Sequence, residues 1–237
     1  LAAAEKTHVT EPVRRSARAI LAALRAAGGP PRERWETTLL MAVGVACGFA
    51  SSAAFFLHVF GWVRMPFFVN FFGMPVIVLM MVGGLYSWQR RLPFWRRLRA
   101  GLLAGALGLV AYDLIRYLVY RSEILAYDPF HAVPRLGALI TGQPAAALSS
   151  IYAGWTYHFW NGFSFAVIYA LVVGPRHWAW GVLWAMLLEI GMLLSYPTFL
   201  DVRLAAPFIG VSWIGHMAYG TVLGLTVRRA AGEERGR

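Results

Sequence analysis

Residues 101–120 read GLLAGALGLVAYDLIRYLVY, an apolar run with Asp113 and Arg116 near its middle. A hydrocarbon core of about 30 Å calls for roughly 20 apolar residues in helix, and this run is of that length. An ionised side chain at that depth costs at least about 2.5 kcal/mol unless it is paired. The stretch therefore predicts a transmembrane helix that supplies the centre of a polar site inside a bundle.

The rest of the chain agrees with a membrane reading. Of 237 residues, 59% are hydrophobic and only 14% charged, and the mean hydropathy is +0.56. A soluble domain carries about 25% charged residues, so the composition excludes an ordinary soluble globule. The lone Cys47 rules out an internal disulfide framework and a cysteine-based metal cluster, and reads as an inert buried thiol. The net charge of +11 does not mark a nucleic-acid binder, because the basic residues cluster at the ends of apolar segments.

The predicted fold is all-α: an integral bundle of six transmembrane helices at 37–60, 67–88, 101–121, 149–173, 178–198 and 207–227. Pro75 predicts a kink in the second. Residues 1–36 form a basic arm, in which residues 10–27 make a short amphipathic helix suited to anionic lipid headgroups. Residues 122–148 form a long outer loop, and 228–237 a basic tail. Seventeen Lys and Arg fall on the side of both termini and four on the other. That asymmetry predicts cytoplasmic termini in a bacterial inner membrane. Nothing in residues 1–30 resembles a signal peptide.

With the spans placed, a rise of ~1.5 Å per residue puts Asp113, His158, Glu189 and His216 at one height, roughly 16–18 Å from the cytoplasmic side. Arg116 and Asn161 fall within about a turn of it. Asp113 pairs with Arg116 at i,i+3, and the same spacing joins His158 to Asn161 and His216 to Tyr219. Ser212 stands one turn from His216. Glu189 has no charge partner in its own helix, so it either holds a proton or meets Arg116 or a histidine across the bundle. Each of these groups also has an ordinary reading, as a residue that bonds a backbone carbonyl or a neighbouring helix and does nothing more.

Three GxxxG pairs, Gly44–Gly48, Gly101–Gly105 and Gly220–Gly224, predict that spans one, three and six pack closely on the cytoplasmic side. The outer half would then splay around the polar groups and leave a cavity. In the outer loop, Asp128 would cap a short helix beginning at Pro129, with His131 and Arg135 on its face as a lid or as an interfacial helix.

The motifs YDxxR at 112–116, DPFHAxPRLG at 128–137, GWxYHFWNG at 154–162 and GHMAYGxxLG at 215–224 resemble a family of uncharacterised bacterial inner-membrane proteins over residues 100–226. The resemblance implies a shared fold and carries no activity to these residues.

Three functions stay open on this reading. The set Asp113, Arg116, His158, Asn161, Glu189, His216 and Tyr219 suits a small anionic or protonatable ligand, or a proton relay, with transport as one use. Alternatively the chain is an accessory subunit that packs lipid or pigment against partner subunits or a second copy, with His58 as a further pigment ligand. As a third reading, His158, His216, Glu189 and Asp113 would ligate iron or zinc, or the two histidines a haem. Arg116 disfavours a bare cation, and no HExxH or CxxCH motif supports the metal or haem readings.

Overall fold

The computed structural model describes residues 31–123, 128–199 and 206–232. The basic helix expected at 10–27 lies outside them. The chain divides into two units, residues 1–40 and residues 41–237. The described part of the first is the opening of helix α1 (Pro31–Val59), where Arg32 Nε donates to Glu36 Oε1 at 3.1 Å.

The second unit contains the remainder of α1 and α2 (Met65–Gln89), α3 (Pro93–Arg121), α4 (Ala132–Thr141), α5 (Leu148–Val172), α6 (Ala179–Phe199) and α7 (Ala206–Gly232). The described residues are helices and their connections, without strands. Helix starts follow sequence chemistry: Pro93 stands in the first turn of α3, where its missing N–H costs nothing. Gly142, at φ 69°, ends α4 in the left-handed conformation that a glycine adopts without strain.

Five helices are long and apolar enough to cross a membrane: α1, α2, α3, α6 and α7. The expected fourth span, α5, is 25 residues long but is not one of the five. Its Tyr, Trp, His and Asn side chains lower its hydropathy. It can carry them because it is the inner helix, packed against α3 and α4 and burying Ser150, Tyr157, Ser164 and residues 166–171.

Pro75 acts one turn earlier than a simple kink would place it. Residues Val69–Gly73 form a π-helical turn immediately before Met74 and Pro75. The wider turn takes up the i−4 carbonyl at Phe71 that the proline ring would otherwise strike.

The glycine pairs pack, but on other partners than expected. A Cβ on Gly44 would meet Phe94 and Leu171, and one on Gly48 would meet Ile168. Gly101 and Gly105 lie against the backbone of Val167 and Phe163. Spans one and three thus close on α5, whose FAVIYALV run offers a low ridge. Gly220 and Gly224 instead close on Gly181 of α6 and on Trp178 just before it. The bundle is tight at the end holding these contacts, and a cavity lined in part by Leu136 of α4 lies away from them.

Helix α4 is docked rather than loose. Gly137 sits so close to Ser150 and Gly154, and Gly154 to Val133, that neither has room for a side chain. Thr141 Oγ1 and Ser150 Oγ are 2.8 Å apart and close the same contact. Ala132 and Leu136 enter a core with Ala54, Phe55, Met65, Tyr157 and Phe208.

Candidate functional site

The third helix does bring Asp113 and Arg116 together, and it adds aromatic support. Arg116 Nη1 donates to Asp113 Oδ1 at 3.3 Å, while Nη2 donates to the Pro129 carbonyl in the loop ahead of α4. Its guanidinium lies 4.7 Å from the Tyr112 ring centroid and 4.5 Å from that of Phe130. At 6% exposure it is a buried cation paired with a carboxylate, hydrogen-bonded to a backbone carbonyl and packed against two aromatic rings.

His158 on α5 completes this group. Its Nε2 is 3.2 and 3.0 Å from the two oxygens of Asp113. A nitrogen facing two carboxylate oxygens carries the hydrogen, so in the neutral ring Nδ1 is the remaining acceptor.

Glu189 does not reach Arg116. It meets the histidine on α7: His216 Nδ1 is 2.8 Å from Glu189 Oε2 and 3.0 Å from the Ser212 carbonyl. Both neighbours are acceptors, so Nδ1 carries the hydrogen and Nε2 is the remaining acceptor of the neutral ring. Ser212 Oγ donates to the same Glu189 oxygen at 2.8 Å. Glu189 is fully buried, and its Oε1 has no hydrogen-bond partner among the described residues.

The expected single constellation is therefore two histidine–carboxylate dyads with Tyr112 between them. The Tyr112 ring centroid is 5.9 Å from that of His158 and 4.8 Å from that of His216. Its side chain also contacts Ser212. Tyr112 was not singled out from the sequence, although its i,i+4 spacing to Arg116 is a readable signal.

The dyads border two spaces. A cavity of about 490 Å³ is lined by His158, Asn161, His216, Tyr112 and Tyr219 together with apolar side chains from α1, α4 and α6. A second, more open groove of about 560 Å³ is lined by Asp113, Asp128, Tyr117 and Trp155. The Asp113–His158 pair thus stands in the wall between them, with the carboxylate on one side and the imidazole on the other. Asn161 Oδ1 is buried and unpartnered, while Tyr157 and Tyr219 donate their hydroxyls to the carbonyls of Ser51 (2.6 Å) and Gly162 (2.7 Å).

The loop residues differ from expectation. Helix α4 begins at Ala132 with His131 at its N-cap, so Asp128 does not cap it. Asp128 Oδ1 instead accepts from the Phe130 N–H at 2.8 Å, holding the turn that aims the Pro129 carbonyl at Arg116. His131 Nδ1 lies 2.9 Å from the Asp128 carbonyl. Burial lowers the His131 pKa from 6.5, against the opposing pull of that contact, with Arg135 and Arg116 adding to the fall; the ring is neutral at pH 7. Arg135 is half-buried beside it on α4.

Among the described residues no three His, Cys, Asp or Glu side chains converge on a point that could hold a metal ion. The four-residue metal set is split into its two dyads. Each histidine commits one ring nitrogen to a carboxylate, His158 its Nε2 and His216 its Nδ1, and keeps the other. His58 has its Nδ1 3.4 Å from the Met65 N–H in the turn between α1 and α2.

Residues 95–237 match a family described as a family of unknown function, DUF6789, and the chain belongs to that family. The motifs quoted above fall within the matched segment, with all members of both dyads. No curated protein and no solved structure matches the chain.

Proposed function

Taking that membership as premise, we propose that the chain is a six-span protein of a bacterial inner membrane that binds a small protonatable ligand in its buried cavity. The observation that carries this reading is a partly open space of about 490 Å³ with two imidazoles on its wall, each backed by a carboxylate. A backed imidazole can present either a lone pair or an N–H⁺, so it can follow a ligand that gains and loses a proton. The Asp113 carboxylate, facing the second groove, gives His158 a route by which protons enter or leave, which suits relay or transport. An anionic ligand is less well served, because Arg116 is paired with Asp113 and is not among the residues that line the cavity.

In this reading α5 is the sixth crossing and both termini are cytoplasmic, as the Lys and Arg distribution requires. A C-terminal reporter active only in the cytoplasm should therefore be active, and an inactive fusion would overturn the orientation.

The binding reading is tested on detergent-purified protein by native mass spectrometry of the molecule it retains. Asp113→Asn and Glu189→Gln should each reduce retention by about tenfold, the effect of weakening one charge-assisted hydrogen bond. Ser52→Phe, which fills the cavity wall, should abolish it. Equal retention in all three variants would reject a ligand in this cavity.

A second reading, an accessory subunit, draws on α2. That helix leaves Phe67, Phe71, Met74, Met81 and Trp88 exposed at 50% or more, a face that lipid or a partner helix would cover. Stable monodisperse protein purified without partners would argue against it.

A further inference from the structure

We infer that the ligand of this cavity is a lipophilic amine held in its ammonium form. The inference rests on the binding reading above and adds the sign of the ligand's charge and its chemical class.

The first observation is the lining. Eight of its twenty residues are Phe or Tyr, and none is Lys, Arg, Asp or Glu. Aromatic faces are negative at their centres and attract a cation by about 0.5–2 kcal/mol each when water is excluded. The cavity's size falls in the range of about 300–1,000 Å³ that holds drug-sized organic ligands.

The second is an excess of acceptors. Tyr157, Tyr219 and Ser195 spend their hydroxyl hydrogens on backbone carbonyls. What they leave is Asn161 Oδ1, buried without a partner, and the ring nitrogen of each histidine that faces no carboxylate. Ser52 Oγ, also unpartnered, can act as an acceptor as well. A guest that donates N–H bonds satisfies Asn161 Oδ1 and the two ring nitrogens, which one that only accepts does not.

The third is charge. Asp113 is matched by Arg116, but Glu189 has no arginine or lysine against it among the described residues. The groups facing Glu189 are His216 and Ser212 from α7, with Tyr112 of α3 behind Ser212. Arg116 and Glu189 act with opposite signs on Tyr112 and on Tyr196, both in the lining. The site thus holds a carboxylate just behind its wall whose partner is a histidine and not a fixed cation. An ammonium in the cavity supplies the missing positive charge.

The test uses the full-length protein in detergent, with ethidium as an aromatic cation bearing amines and phenanthridine as its neutral counterpart. Ethidium binding is read by its fluorescence gain, and phenanthridine by displacement. Wild type should prefer ethidium by about tenfold or more. Glu189→Gln should erase the preference, while Glu189→Asp, which keeps the charge, should retain it. As a measurement independent of variants, tetraphenylphosphonium should displace ethidium and neutral tetraphenylmethane should not. Equal affinity for the two ring systems, or a preference that survives in Glu189→Gln, overturns the cationic class and leaves the cavity reading standing. If neither probe binds and Ser52→Phe keeps whatever wild type retains, both inferences fall.

Discussion

Arg116→Met should destabilise the protein by roughly 3–5 kcal/mol, the cost of leaving one member of a buried ion pair without its partner. Methionine keeps most of the volume and the contact with Tyr112 and Phe130. It removes the cation from Asp113 and the donor from the Pro129 carbonyl. Thermal unfolding in detergent reads the effect. The double variant with Asp113→Asn separates charge from packing: because the amide carries no charge, the pair should be markedly more stable than Arg116→Met alone. A single variant within about 0.5 kcal/mol of wild type would show that Arg116 is not the clamp described here.

Gly154→Ala should be as damaging by a different route. Its Cβ would enter the space of the Val133 carbonyl, a backbone atom that cannot turn aside as a side chain would. Helix α4 must then move off α5, opening the core it shares with Phe55, Tyr157 and Phe208. A cost of about 3 kcal/mol is the expected scale for overpacking without room to relax. Limited proteolysis in the loop at 122–148 should become faster. Gly191→Ala is the control, since nothing lies within 4 Å of its added Cβ. It should be neutral or stabilise by up to about 1 kcal/mol through helix propensity. Equal behaviour of the two variants would dismiss the glycine contact as the anchor of α4.

The helices were legible because hydrophobic length and glycine–proline punctuation are local properties of a chain. The nearness of Asp113 to His158 and of Glu189 to His216 could be expected for the same reason, since placing them at one level needs only a rise per residue. Which face each helix turns inward is another matter. It depends on how side-chain ridges of separate helices mesh, and that decided that Glu189 meets His216 while Arg116 stays with Asp113. The glycine pairs show the same limit, since small residues announce a close contact without naming its partner. Tyr112 escaped because a tyrosine in a membrane span reads first as an interfacial anchor. The Pro129 carbonyl escaped because a backbone atom has no signature in sequence. Asp128 misled because aspartate before proline suits a helix N-cap and an Asx turn alike.

The cavity's residues are unevenly distributed along the chain. Both dyads, Tyr112 and Asn161 belong to the stretch that defines the family, while Phe49, Ser52, Phe55 and Phe56 of α1 precede it. Two turns of one helix therefore supply a whole side of the cavity and none of its titratable groups. Such a division makes the wall separable: residues 49–56 can be substituted to reshape the cavity without touching either dyad.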